Sequence, residues 1–293
     1  MKKQTFQPLE IVVVDNASTD QSLQLLARFA GITVLAQPQN FGFAKGNNLA
    51  IEQMANAQWI ALLNPDAFPE PTWLEELVKC SESRPEFDAF GSKLLSANEE
   101  SKIDGFGDVY HVSGLAWRDG YGKQDSSDYA GNREVFSVCA GAAMYRRQVF
   151  LELGGFDEDF FCYFEDVDLG FRLRLAGYRS LQCSKSIVKH LGSATSGGPK
   201  SDFSTYYGHR NLVWTFAKNM PLPLLWVLLP IHVAMNLISI IYLGFKGKFK
   251  VIIKAKFDAI VGLPGAIKKR SVIQRSRRTT SIQILRLMSK LPF

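Results

Sequence analysis

Over the first two hundred residues, short apolar runs alternate with longer one-sided patterns. Glu10 to Val14 (EIVVV) is a β-branched run that stops at Asp15-Asn16-Ala17-Ser18-Thr19-Asp20, a turn-forming cluster offering Ser18 as an N-cap with Gln21 three residues on. The pattern predicts a helix from Asp20 to Phe29, a strand over Ile32 to Ala36, a helix over Gly42 to Asn56 and a fully buried strand over Trp59 to Leu63 (WIALL). Pro71 to Ser81 reads as the next helix, with proline in the first turn, where a missing N–H matters least. Ser92 to Arg133 has little periodicity and predicts loops and short strands. Val135 to Tyr145 (VFSVCAGAAMY) predicts a strand with a small-residue neck at Ala140 to Ala143, and a helix follows Glu165-Asp166-Val167-Asp168 as far as Ala176.

Strands alternating with helices argue an α/β fold with a mostly parallel sheet. In such sheets ligands sit beyond the carboxyl ends of the strands. Two acidic, turn-rich segments leave strand ends here, Asp15 to Asp20 and Asn64-Pro65-Asp66.

The last part of the chain differs in kind. Asn219 to Phe245 holds no Asp, Glu, Lys or Arg in 27 residues. That is long enough to cross a bilayer, yet Pro223, Pro230, His232 and Asn236 interrupt it. From Lys246 onward thirteen Lys/Arg stand against one acid, Asp258, leaving 21 basic and 27 acidic residues before it. A single crossing from a cytosolic catalytic part would place that basic tail outside, against the positive-inside rule, so a re-entrant hairpin or an interfacial helix is expected. Ser281 to Leu291 adds an amphipathic segment of interfacial type. A basic tail directly after an apolar segment predicts an anionic membrane surface as partner rather than nucleic acid.

The four cysteines lie 59, 23 and 21 residues apart, without the close pair of zinc or redox motifs, and read as small buried hydrophobes in a reducing compartment. The basic start lacks the apolar stretch of a secretory signal, which predicts cytosolic placement for residues 1–218.

Singly, the chemical signals have plain explanations. Asn-Pro-Asp is ordinary turn chemistry, although an Asp just past a buried strand also suits a hard divalent cation bridging a diphosphate. Glu165, Asp166 and Asp168 meet a helix dipole favourably, although the aromatic run before them would desolvate a carboxylate and fit it for general-base work. His190 is by itself an ordinary histidine.

In combination these segments are specific. VVVDNASTD (12–20), NFGFAKGNN (40–48), LLNPDAFP (62–69), GAAMYRRQVFLELGGFDEDFF (141–161), YFEDVDLGFRLRLAGY (163–178) and the His190 segment follow one another in order. Together, over residues 10–215, they resemble family 2 glycosyltransferases, particularly bacterial rhamnosyltransferase-like members that build surface polysaccharides. The resemblance implies the GT-A fold, a dTDP- or UDP-linked sugar donor, Mg²⁺ or Mn²⁺, and inversion at the anomeric carbon. It implies nucleotide-sugar contacts at Asp15, Asn40, Lys45, Asn47 and Asn64, and metal ligation by Asp66 and His190. It further implies Asp166 as catalytic base with Glu165 beside it, and Arg210 at the acceptor. Such proteins carry a further hydrophobic strand ahead of the one matched by EIVVV, and the nine residues before Glu10 do not supply it.

The expected organisation is an N-terminally truncated GT-A domain over 1–215 and a hydrophobic, basic, membrane-associating helical region over 216–293. The expected function is transfer of a deoxyhexose such as rhamnose to a lipid-linked glycan at the cytoplasmic face of the inner membrane. The alternatives are a catalytically inactive, membrane-attached homologue acting as a binding module, and a nucleotidyltransferase, which would show a Gly-rich basic phosphate loop.

Overall fold

A computed structural model describes residues 1, 3–99, 101–192 and 201–291. β1 (Val12–Asp15) and β2 (Thr33–Ala36) pair in parallel and form a two-stranded sheet of their own, linked by α1 (Ser22–Leu26). α1 is shorter than its pattern predicts and buries none of its residues, so little packing extends it. α2 (Gly42–Gln53) follows, burying Ala44, Ala50 and Ile51.

The main sheet is built from β3 (Trp59–Leu63), β4 (Ala67–Pro69), β5 (Ala89–Ser96), β6 (Ile103–Gly105), β9 (Arg133–Glu134), β10 (Ala142–Arg146) and β11 (Ser180–His190). Its order is β3-β10-β5-β11-β4, with β6 on β5 and β9 on β11. The expected mostly parallel sheet is therefore corrected to a mixed one, in which β5 and β11 pair in parallel while β10 lies antiparallel to both β3 and β5. A parallel neighbour needs a crossover, usually helical. β11 has one, through α4 (Arg147–Glu152) and α5 (Glu165–Leu175), whereas β10 is entered from the aperiodic middle of the chain.

That middle contains a small hairpin, β7 (Asp108–Tyr110) against β8 (Ala116–Arg118). The strand expected over Val135 to Tyr145 begins only at Ala142. The residues before it pack against α5 instead, so closely that a Cβ on Gly170 would lie 2.1 Å from Ser137.

α3 (Trp73–Ser83) covers one face of the sheet with Trp73, Leu74 and Leu77, and α2 and α5 cover the other. Among the described residues no strand lies between β1 and the outer edge of β3. The two edges instead border one cleft of about 2100 Å³, with Val12 to Val14 on one side and Ile60 to Leu63 on the other.

The C-terminal part is helical: α6 (Asp202–Asn219), α7 (Leu222–Leu243), α8 (Phe249–Arg275) and α9 (Ser281–Leu287). Pro221 ends α6, and Gly247, at φ 78°, turns the chain between α7 and α8. α9 starts on a capping box between Thr280 and Gln283. α6 runs through position 215, and its last turn is locked into the sheet domain. Buried Lys218 lies 2.8 Å from Asp168 Oδ1 and also pairs with Asp157, while Asn219 donates to Asp168 Oδ1 at 2.7 Å.

Candidate active site

The cleft joins three groups of residues that lie far apart in sequence. At the first, β1 ends in buried Asp15, whose Oδ2 accepts the Ser18 amide at 3.1 Å and so closes the turn. Asn16 then stitches this turn to the start of α2, donating to Gly42 O at 2.9 Å and accepting from Phe41 N at 3.3 Å. Asn40 accepts the Gly42 amide at 2.8 Å, and Asn47 donates to Phe43 O at 2.9 Å. Lys45 lies 3.5 Å from Glu158 Oε2 and over the Phe41 ring. Asn16, Asn40 and Asn47 line the cleft.

At the second group, Asn64 and Asp66 follow β3. The Asn64 amide is fixed on Gly141 O at 2.8 Å, and the Asp66 carbonyl accepts from Leu191 N at 3.0 Å. This brings Asp66 to the end of β11, where His190 Nε2 faces its Oδ1 at 3.4 Å. The other ring nitrogen, Nδ1, is 2.8 Å from Asp104 Oδ2, and Asp104 is itself 2.6 Å from Arg118 Nη1. Burial would lower the His190 pKa, but the hydrogen bond to Asp104 and the nearby Asp66 carboxylate outweigh it and raise it to about 9. His190 Nε2 is buried and makes no hydrogen bond among the described residues.

The third group is the loop into α5. Phe161, Tyr163 and Phe164 all have positive φ, at 64°, 66° and 71°. Such backbone costs about 1–3 kcal/mol per residue and persists only where the surroundings impose it. Here Asn211 of α6 imposes it: fully buried, its Nδ2 donates to the carbonyls of Phe160, Cys162 and Tyr163 at 2.9, 3.0 and 2.7 Å. The loop delivers Glu165 and Asp166 into the cleft. Asp166 Oδ2 accepts from Ala140 N at 3.1 Å and Oδ1 from Val167 N at 2.8 Å. Burial raises its pKa, and those two amides act against the rise. Glu165 is raised well above the ordinary carboxylate value, by burial and by the charge of Asp166, and its Oε2 makes no hydrogen bond among the described residues. Asp168, next on the helix, is held by Arg172 at 2.8 Å and by Lys218, and belongs to the scaffold.

Arg210 stands beside this loop. It donates to the carbonyls of Asp159 and Phe160 at 2.9 and 3.0 Å and lies over the rings of Tyr207 and Trp214. Sequence reasoning passed over Asn211, its neighbour, and over Asp104, Asp108 and Arg118. Asp108 lines the cleft, accepts from Ser137 Oγ at 2.8 Å and is raised to about 8 by burial and by Asp166.

Replacing Asn211 by Leu keeps the volume and removes all three donations. The expected outcome is a kcat lower by about tenfold to a hundredfold with nucleotide affinity unchanged, because the loop that carries Asp166, the expected base, loses its geometry. Steady-state kinetics beside nucleotide titration checks this. An equal fall in both would make Asn211 a general stability residue.

A family model described as "Glycosyl transferase family 2" matches residues 1–154. The "O-antigen biosynthesis protein RfbC" of Myxococcus xanthus is 31% identical over 210 residues, 68% of this chain and 16% of that protein. The "N-acetylglucosaminyl-diphospho-decaprenol L-rhamnosyltransferase" of Mycobacterium tuberculosis is 27% identical over 228 residues, 69% of this chain and 73% of that one. Among solved structures, the mannosyltransferase PcManGT of Pyrobaculum calidifontis, in complex with GDP-Man and Mn²⁺, superposes with a TM-score of 0.53 at 17% identity. That match covers 94% of this chain and 79% of that one. S. aureus TarS 1-349 gives 0.53 at 16% identity, over 94% of this chain and 84% of that one. These likenesses carry the fold, the GT-A type of α/β sheet.

Proposed function

The chain belongs to glycosyl transferase family 2, and on that premise we propose that it transfers a deoxyhexose such as rhamnose from a dTDP- or UDP-linked donor to a lipid-linked glycan. The transfer inverts the anomeric carbon and serves cell-surface polysaccharide assembly at the cytoplasmic face of the membrane. The observation that carries this reading is a single cleft lined by the turn Asn16 to Asp20 that follows Asp15, by Asp66 with His190, and by Asp166. Two of its relatives, named for O-antigen biosynthesis and for rhamnosyl transfer to N-acetylglucosaminyl-diphospho-decaprenol, support the polysaccharide and the lipid-linked acceptor.

Inverting transfer needs a base aimed at the acceptor hydroxyl, on the face of the sugar opposite the leaving diphosphate. Asp166 takes that proton, its carboxylate steadied by the Ala140 and Val167 amides. Glu165 beside it turns a buried Oε2 that has no partner among the described residues toward the same cleft, where it would contact the acceptor sugar. Among the described residues no three His, Cys, Asp or Glu side chains gather as a complete metal site. The pair Asp66 and His190 nevertheless fits a divalent cation that draws its remaining ligands from a diphosphate and water. His190 Nε2 is buried and 3.4 Å from Asp66 Oδ1, a cation there would take the place of its proton, and Asp104 on Nδ1 is the carboxylate partner that orients a ligating histidine. When bound, Mg²⁺ or Mn²⁺ would neutralise charge developing on the leaving diphosphate.

Calorimetric titration with dTDP and UDP, each with and without Mn²⁺, tests the reading. One nucleotide is expected to bind in a Mn²⁺-dependent way, and Asp66→Ala is expected to abolish that dependence. Unchanged Mn²⁺ dependence in the variant would remove Asp66 as a ligand. The second reading is a catalytically inactive homologue that binds partners at the membrane. A folded chain that binds neither nucleotide would establish it.

A further inference from the structure

The sheet domain leaves an apolar strip uncovered on each of the two long C-terminal helices. Trp226, Val227, Leu237, Ile238, Ile241 and Tyr242 are exposed along half the circumference of α7, and Phe249, Ile253, Phe257, Ile260 and Val261 along a strip of α8. Contiguous apolar exposure on this scale marks an interaction surface. We propose that this face docks on an anionic lipid bilayer with α7 and α8 lying in the plane of one leaflet, neither of them crossing it. The proposal rests on the reading above in taking the acceptor to be lipid-borne.

α7 has 22 residues, and at about 1.5 Å per residue it is long enough to cross. Its contacts hold it flat. His232, near its midpoint, is buried, stacks on Phe216 of α6 with ring centroids 3.9 Å apart, and lies 2.7 Å from the Ser113 carbonyl of the sheet domain. A spanning helix has lipid or other spanning segments beside its midpoint, whereas this one has the catalytic half. α8 returns antiparallel to α7, with Lys256 Nζ 2.5 Å from Asn236 Oδ1, eight residues on either side of the turn. It carries Lys250, Lys254, Lys256 and Asp258 in its first half, where a second crossing would need hydrocarbon.

Charge selects the partner. Lys246, Lys250, Lys254 and Lys268 are exposed beside the apolar strip of α8, and the tail from Lys246 carries thirteen cations against one acid. An apolar face flanked by lysines fits the boundary between acyl chains and anionic headgroups.

The turn also ties this face to the reaction. Lys248 lies 3.1 Å from Asp202 at the start of α6. The first two turns of α6 set Tyr207 and Phe203 against Phe161 at the cleft, with ring centroids 5.1 and 6.3 Å apart. Docked in this way, the cleft opens next to the headgroup layer, and a lipid-borne glycan enters it without leaving its leaflet.

The test uses the purified full chain and sealed vesicles formed beforehand. It is expected to float with vesicles of phosphatidylglycerol and phosphatidylcholine but not with phosphatidylcholine alone at physiological salt. Trp226→Glu combined with Ile238→Glu should lower the bound fraction by at least about tenfold, through loss of two buried apolar side chains, with thermal unfolding and nucleotide titration unchanged. In vesicle-bound Lys246→Cys, an impermeant maleimide added outside should react, measured against the parent chain's own cysteines. Protection of position 246 until the vesicles are opened would show a crossing and overturn the proposal. So would a concentration-dependent dimer without flotation, in which a second copy covers the face. Flotation without nucleotide binding would sink the transferase reading and leave the docking face standing.

Discussion

Asp166→Asn is expected to lower kcat for sugar transfer by about 10²–10⁴-fold, the usual contribution of a positioned general base. The substitution keeps the side chain's shape, and an amide oxygen still accepts from Ala140 N or Val167 N, so the loop and the cleft survive it. Nucleotide binding, on the far side of the cleft, should stay unchanged. The pH profile gives an independent readout. Burial raises the Asp166 pKa, so the base is lost to protonation at a higher pH than an exposed aspartate would be. In the parent chain kcat/KM should fall as pH drops through that raised value, and the residual activity of the Asn variant should lack this limb. Normal turnover in the variant would assign the proton to another group, with Asp108 the next carboxylate in the cleft.

Lys218→Met is expected to destabilise the protein by about 3–5 kcal/mol, the range for breaking one partner out of a buried ion pair. Lys218 is 1% exposed and stands between Asp157 and Asp168. Arg172 and Asn219 still serve Asp168 in the variant, and Lys269 still serves Asp157, so the chain should fold. At about 2–4 °C per kcal/mol for chains of this size the melting temperature should drop by roughly 6–20 °C. Adding Asp157→Asn should restore part of that loss by removing a buried charge that Lys269 alone would then balance. The pH dependence has a definite sign. Although burial alone would raise Asp157, Lys218 and Lys269 hold its pKa well below the ordinary value. Its contribution is present above the unfolded pKa and is lost as pH falls toward the folded one. A variant that melts with the parent across acid pH would show that the pair contributes nothing.

Much of the site was legible because its acids end periodic elements. Asp15 and Asp66 close β-branched or apolar runs, and Asp166 opens a helix after an aromatic run, so local pattern and family motif point to the same residues. Asp104, Asp108 and Arg118 lie on three-residue strands inside an aperiodic stretch, and their significance comes from partners far along the chain. Asp104 needs His190, 86 residues away, and Asp108 needs Ser137, 29 away. Asn211 was hidden differently: attention falls on the charge of Arg210, while the value of an amide donor depends on three carbonyls that converge only because the loop adopts positive φ. The mixed sheet was illegible for a topological reason, since strand direction follows the path of the connection, and the stretch leading to β10 has no periodicity to reveal it. The apolar content of α7 was plain in sequence, but its lie along the domain rests on His232 meeting Ser113, 119 residues away.

The isolation of β1 and β2 has a consequence for ligand energetics. Parallel pairs are ordinarily stable when covered on both faces, and a two-stranded sheet is marginal by itself. This one is joined to the remainder through α2 and a few side-chain bonds such as those of Asn16, while α1 buries nothing. It is therefore a cooperative unit that opens locally at a smaller free energy than the β5–β11 core. The wall of the cleft formed by Val12 to Val14 and by the turn from Asn16 belongs to that unit. Under the proposed function, a nucleotide that contacts this wall would bind only the closed form, so its measured affinity would be the intrinsic affinity reduced by the open fraction, and saturation with nucleotide should stabilise this corner of the molecule first.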